Sequence, residues 1–165
     1  MDARSTVDNA ETEARLIEAV VVHVSGHLFG VRVGLVQDVL GAHPVTHVHR
    51  APPAVAGLLN LRGRIVTAID LHARLGLVSD IPVNERVHVV VENGGELYAL
   101  LVDRVGDVIS LGGPESPRAQ AQLNKDWEAA AEGVFTLNEG LLVLLGVAAV
   151  LGPTARGHGA SEAAE

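Results

Sequence analysis

Apolar and polar positions alternate in short blocks along the chain, and this pattern predicts an all-β fold. The apolar blocks are rich in valine and leucine and are separated by glycine, proline and polar turns, which is typical of sandwiches and small barrels. The pattern predicts strands at residues 17–24, 28–33, 45–48, 58–61, 65–69, 87–91, 97–102, 105–111, 134–137 and 141–145, and a helical turn followed by a strand at 34–40. None of the predicted helices is long enough to connect parallel strands.

The order hairpin, polar turn, apolar strand occurs twice, which predicts two similar small barrels packed together. We expect the first barrel from residues 16–77 together with 141–151, and the second from residues 78–140. A polar stretch at 112–132 is interpreted as a loop that has room for a helix. Residues 1–15 and 153–165 have the polar composition of a disordered head and tail.

The most informative stretch extends from Gly57 to Leu71, where two apolar runs flank the sequence Asn-Leu-Arg-Gly. Glycine after Arg62 predicts a tight hairpin tip, so the arginine sits at a fixed place on a rigid turn. A guanidinium held there without a catalytic partner favours recognition over chemistry, although an ordinary surface arginine remains the alternative. Asp70 is predicted to cap a short helix at 71–75 that Gly76 ends.

Composition excludes several classes of function. The formal net charge of −8 argues against nucleic-acid binding and against attachment to anionic lipid. There is no cysteine, which excludes disulfides, thiolate metal sites and a cysteine nucleophile. With 48% hydrophobic but only 2% aromatic residues, the core must be aliphatic. The first residues lack the apolar stretch of a signal peptide, and the longest apolar run, 141–151, is too short to span a bilayer.

Few residues suggest chemistry. His43, His47 and His49 crowd one segment, and the last two have a spacing seen in metal sites, but a solvated edge or loop is the favoured interpretation. Asp103 follows a strand, where a carboxylate usually caps a turn or pairs with an arginine. Motifs for nucleophilic, phosphate-binding or zinc-dependent catalysis are missing. We therefore expect no catalytic residue, no metal and no cofactor.

Four segments occur in an order and spacing that match a known family. They are residues 29–31 with 36–40, residues 45–57, Gly57-Leu-Leu-Asn-Leu-Arg-Gly63 with Ile65-Val66 and Asp70-Leu71, and Leu101-Val-Asp-Arg-Val-Gly-Asp-Val108. Together they resemble the CheW-like family, the coupling proteins of bacterial chemotaxis, over residues 17–151. The chain departs from the usual pattern at Thr67, where proline is common, at Ala68, and at Asp38, where glutamate is more common.

The resemblance implies two intertwined SH3-like five-stranded β-barrels with short helices and no enzymatic activity. It implies an adaptor in the cytoplasm that couples the cytoplasmic tip of a methyl-accepting chemoreceptor to the regulatory domain of a CheA-type histidine kinase. The residues carried over to receptor binding are Val36, Gly57, Arg62, Val87 and Val108. Those carried over to kinase binding are Asp38, Val39, Leu40, Gly41, Ala42 and His43. An adaptor for pilus motility or gene expression, a small-ligand sensor and a histidine-based metalloenzyme remain alternatives.

Overall fold

The computed structural model describes residues 16–112 and 123–152, and most of these residues lie in strands. The strands are β1 (Ile17–Val24), β2 (His27–Arg32), β3 (Val36–Leu40), β4 (Val55–Leu61), β5 (Arg64–Asp70), β6 (Val87–Asn93), β7 (Glu96–Val102), β8 (Arg104–Leu111), β9 (Ala131–Leu137) and β10 (Gly140–Leu145). Short helices are α1 (Leu71–Arg74), α2 (Lys125–Ala130) and α3 (residues 147–152), with 3-10 turns at Val33–Leu35 and Val83–Glu85. The predicted all-β class is confirmed; the predicted head and tail lie outside the described residues.

The strands form two five-stranded sheets of the same design. One sheet has the order β8-β1-β2-β10-β9 and the other has the order β3-β6-β7-β5-β4. In each sheet an outer strand and two antiparallel hairpins are joined by one parallel pair, which is β2 with β10 in one sheet and β7 with β5 in the other. The two sheets are therefore related copies, as the repeated sequence pattern indicates.

The two sheets exchange a strand. β3 follows β2 in the chain but pairs with β6 of the other sheet, and β8 follows β7 but pairs with β1. The continuous stretch from β3 to β7 thus builds one sheet, and the two ends of the chain build the other. The predicted division into residues 16–77 with 141–151 and residues 78–140 is wrong in this respect. Apolar patterning locates a strand, but its partner is chosen by packing between residues that are distant in sequence.

The core has three parts, which follow from this arrangement. The largest cluster lies between the two sheets and takes residues from both, including Val22 and Val31 from one and Val89 and Leu100 from the other. A smaller cluster fills each barrel, around Leu142 in the first and around Leu101 in the second. Each fully buried valine or leucine contributes roughly 1.5–3 kcal/mol. Strands of each sheet therefore pack on one face against the other sheet and on the other face inside their own barrel, and both contacts stabilise the pair of barrels.

Local predictions are confirmed where a side chain or a turn decides the structure. The Asp70 side chain caps α1 by accepting a hydrogen bond of 3.3 Å from the Ala73 N–H. Gly76 ends the helix in the left-handed conformation, with φ of +68°. The predicted strand at 45–48 is wrong: this segment makes only a single bridge, between Thr46 and Leu58.

Candidate recognition surface

The β4–β5 hairpin turns through Arg62 and Gly63, both of which have positive φ, +52° and +84°. Leu61 and Arg64 form the last pair of the ladder, so the loop has two residues, as in a type I′ turn. The Asn60 side chain accepts a hydrogen bond of 2.9 Å from the Gly63 N–H and holds the tip in shape. Arginine is a poor choice at the first loop position, because a β-carbon there costs about 1–2 kcal/mol.

Arg62 is paired with an acidic residue that the sequence pattern does not connect to it. Its Nη2 atom lies 3.3 Å from Oδ2 of Asp38, and the two side chains are 81% and 30% exposed. Asp38 is on β3, at one end of the sheet order, whereas the hairpin containing Arg62 is at the other end. The pair therefore connects the opposite edges of the sheet, which must curl for these atoms to meet.

A cleft of about 270 Å³ opens beside this ion pair. Its lining combines apolar side chains from inside the barrel with charged ones at the rim: Gln37, Asp38, Leu61, Arg62, Arg64, Val90, Glu92 and Leu97. An apolar floor with charged groups at its edge is the arrangement expected of a surface that recognises another macromolecule.

Gly57 lies apart from this cleft and has an internal role. It is buried, its φ is +153°, and a β-carbon at this position would lie 2.1 Å from the Thr46 carbonyl oxygen. Thr46 and Leu58 exchange two backbone hydrogen bonds of 2.8 Å there. A side chain at this position would therefore clash with the chain's own backbone.

The three valines carried over to receptor binding occupy different places. Val36, on β3, pairs with Val91 near the end of β6, whereas Val87 begins β6 and pairs with Val102. Both valines are half-buried against the large cluster between the sheets. Val108 is on β8 of the other sheet, where it pairs with Val20 and is 58% exposed. The described contacts do not bring these valines together with Arg62 in one pocket.

The residues carried over to kinase binding are continuous, from β3 into the segment that follows it. β3 is an outer strand, and Val39 is 43% exposed on it, which leaves an apolar side chain and one edge of the strand at the surface. Gly41 and Ala42 are exposed, whereas Leu40 packs into the barrel. His43 is half-buried, and its ring lies 6.1 Å from the ring of the buried His88.

His47 and His49, by contrast, are both exposed. Within residues 16–112 and 123–152, no three histidine, aspartate or glutamate side chains lie close enough together to hold a metal ion. His47 and His49 are close in sequence because both belong to an exposed segment at one edge of the barrel.

A buried polar cluster joins the two sheets, and the sequence analysis missed most of it. His72, only 2% exposed, has Nε2 at 2.9 Å from Oδ1 of Asp103 and Nδ1 at 3.5 Å from Oδ1 of Asp70. Asp103 also accepts a hydrogen bond of 2.8 Å from the Ser25 N–H. The buried Arg86 donates to Asp70 at 2.8 Å. A histidine two residues after a helix-capping aspartate was the available signal.

Asp103 sits where the chain passes from β7 of one sheet to β8 of the other, so its role is to fix this crossover. Its own N–H donates to the His23 carbonyl oxygen at 3.0 Å, which ties the crossover to β1. Burial raises the pKa of Asp70, but contacts with His72 and Arg86 more than offset this, and the net pKa lies below its usual value. Asp70 is thus kept ionised while it caps α1 and pairs with Arg86, which is a structural role.

These features define a class: an all-β domain of two barrels that exchange strands, with a charged cleft on one of them. A family model, described as the CheW-like domain, matches residues 18–153. The chain belongs to the CheW-like family.

Relatives agree with this assignment over most of their length. The chain is 30% identical over 129 residues to the chemotaxis protein CheW of Rhizobium meliloti, which covers 78% of this chain and 82% of that protein. It is 27% identical over 138 residues to the probable chemotaxis protein CheW of Rhizobium etli, with 83% and 88% covered. The crystal structure of the scaffolding protein TtCheW from Thermoanaerobacter tengcongensis superimposes with a TM-score of 0.67 at 25% identity, covering 79% of this chain and 88% of that one.

The chain is therefore a CheW-like chemotaxis scaffold, and proteins of this family act as scaffolds and not as enzymes. Among the residues that the structure describes, no helix has the length and apolar character needed to cross a membrane.

Proposed function

We propose that this protein is a non-enzymatic adaptor that couples chemoreceptors to a CheA-type histidine kinase. On this proposal it works in the cytoplasm and is recruited to membrane-associated receptor arrays. The cytoplasmic tip of a chemoreceptor binds one surface, and the regulatory domain of the kinase binds another. Receptor state then reaches the kinase through contacts on a rigid scaffold.

The main support for a receptor contact at Arg62 is its backbone conformation, which has a positive φ of +52°. A long charged side chain is 81% exposed at a turn position that favours asparagine or glycine, so its fold role is small. Strain of this kind is usually stored at sites that bind something. Its guanidinium can pair with carboxylates of a helical hairpin lying across the cleft. Val36, Gly57, Val87 and Val108 are proposed with Arg62 as receptor residues, Gly57 acting through the backbone.

The kinase contact is proposed along β3 and the segment after it. An outer strand with an exposed valine can add to the edge of a similar barrel in the kinase, using backbone hydrogen bonds and apolar contact. Asp38, Val39, Leu40, Gly41, Ala42 and His43 are the residues proposed for this contact. The strand's bulge between Val36 and Asp38 leaves the Asp38 carboxylate free to accept from the Val39 N–H at 2.9 Å.

Binding of purified proteins tests the proposal. The wild type is expected to bind both a receptor-tip hairpin and a kinase regulatory domain from the same organism. Arg62→Ala and Val36→Asp are expected to weaken the receptor contact and to leave the kinase contact within about twofold. Val39→Asp should do the reverse, because a carboxylate in an apolar contact is costly. Binding to neither partner by the folded wild type would refute the proposal.

A further inference from the structure

A buried histidine lies inside the second barrel without the hydrogen bonds it needs. His88, on β6, is fully buried between Leu40 of β3 and Leu101 of β7. Neither of its ring nitrogens has a hydrogen-bond partner among the described groups. A buried imidazole without partners is destabilising compared with an apolar side chain of similar size. Fold stability alone therefore does not account for a histidine here.

The chain next to His88 is loosely attached. β3 ends at Leu40 and pairs on one side only, with a bulge in its ladder. The segment after it is held by the two hydrogen bonds between Thr46 and Leu58 and by one of 3.2 Å from the Val45 N–H to the Asn84 side chain. This segment can leave the barrel without breaking the central ladders. It also carries His43, whose ring faces His88 edge to face at 6.1 Å.

We propose that His88 and His43 form a proton-operated switch that releases the end of β3 and residues 41–46 from the barrel when the pH falls. Protonation places a cation among apolar side chains and beside a second imidazole, so the charged ring can be hydrated only if this segment opens. The consequence for signalling rests on the proposed function, because Leu40, Gly41, Ala42 and His43 are proposed kinase contacts. Acidification would then weaken kinase binding.

No described charge opposite His88 compensates a proton. On β3 the nearest acidic residue is Asp38, which pairs with Arg62, and on β7 residues 97–102 are without charge. On β6 the preceding Arg86 is turned to Asp70 and to the Ile81 carbonyl oxygen. In the segment itself the facing group is His43. Burial lowers the pKa of His88 from its ordinary value, and the charge of His43 lowers it further, although the polar backbone of His43 nearby acts in the opposite direction.

The direction of the effect follows from these facts. The closed form keeps His88 neutral, whereas an open form with the usual histidine pKa of about 6.5 takes up a proton. Between about pH 7.5 and about pH 5.5 the population of the open form should rise by about tenfold relative to the closed form. Above about pH 7.5 the switch contributes little to the pH dependence.

Amide hydrogen exchange on the free protein tests the switch without any partner. After correction for intrinsic rates, opening of residues 41–46 should increase about tenfold between the two pH values in the wild type, while β7 stays constant. His88→Leu should abolish the increase, and the exposed control His49→Gln should keep it. No increase in the wild type, or the same increase in folded His88→Leu, would overturn the proposal.

Two further measurements guard against misleading outcomes. If His88→Leu fails to fold, NMR titration of the wild type decides: His88 must titrate below the ordinary histidine pKa of about 6.5, and titration at that value overturns the switch. Kinase-domain affinity at both pH values then tests the consequence. If exchange behaves as expected but the kinase domain does not bind at any pH, the adaptor assignment fails and the switch stands. An equal pH effect on binding in wild type and His88→Leu overturns the regulatory role.

Discussion

Arg62 and Asp38 form an ion pair of 3.3 Å between the two edges of one sheet. The family resemblance assigns Arg62 to the receptor contact and Asp38 to the kinase contact, so the pair joins the two proposed surfaces. A partner that binds the Arg62 guanidinium must either displace the Asp38 carboxylate or bind it as well. This gives a direct physical route by which one binding event can affect the other, through a single exposed contact.

Arg62→Asn separates the role of this arginine in the fold from its role in binding. Asparagine suits the left-handed turn and relieves about 1 kcal/mol, whereas an exposed ion pair contributes at most about 1 kcal/mol. We expect unfolding in urea, followed by fluorescence of the single tryptophan, Trp127, to change by less than about 1 kcal/mol. Receptor-tip affinity measured by calorimetry should fall about tenfold or more.

Arg50→Asn is the matched control for this variant. Arg50 is also exposed and left-handed, with φ of +65°, but it is not among the residues lining the cleft. It should keep full receptor affinity. Equal loss of affinity in both variants, or a large loss of stability in Arg62→Asn, would contradict the role given to Arg62.

Gly57→Ala should destabilise the fold before it affects any partner. Its β-carbon would lie 2.1 Å from the Thr46 carbonyl oxygen, so the bridge between Thr46 and Leu58 must break. We expect a loss of roughly 2–4 kcal/mol in the free energy of unfolding. Gly63→Ala is the control, since it has φ of +84° and open space around it, and it should cost only about 1 kcal/mol. Equal costs would mean that the Thr46 contact is unimportant.

Asp103→Ala should loosen the crossover between the sheets. It leaves the Ser25 N–H and the buried His72 without their carboxylate, so we expect a loss of roughly 2–4 kcal/mol in denaturant unfolding. The exposed Asp107 on β8 offers a control, because Asp107→Ala should change stability by less than about 0.5 kcal/mol. A similar small effect at Asp103 would show that the cluster does not hold the crossover.

The single tyrosine gives a direct test of packing on the second sheet. Burial, together with a hydrogen bond of 2.9 Å from the Tyr98 hydroxyl to Glu96, raises the pKa of Tyr98 to about 12. Because the folded value lies above the ordinary value of about 10, its stabilisation is complete below about pH 10 and is lost as the pH rises toward about 12. Ultraviolet titration should find a midpoint near about 12, lowered in Glu96→Gln. A wild-type midpoint near about 10 would refute this environment.

The sequence predicted features that are decided locally. The hairpin around Arg62, the Asp70 cap and the Gly76 stop each depend on one or two residues and their neighbours. The exchange of β3 and β8 could not be predicted in this way, because it depends on pairing between distant strands. The same reason explains why the Arg62 partner, the Asp103 cluster and the buried His88 were missed: contacts between residues that are distant in sequence leave no periodic signal in the chain.

One molecule is proposed to hold receptor and kinase together, and the mass of the complex is the first quantity to measure. The protein, a receptor-tip hairpin and a kinase regulatory domain would be mixed and examined by size-exclusion chromatography with light scattering. We expect a complex that contains all three components and that loses only the receptor tip in Arg62→Asn. Displacement of one partner by the other, or no complex with either, would contradict it.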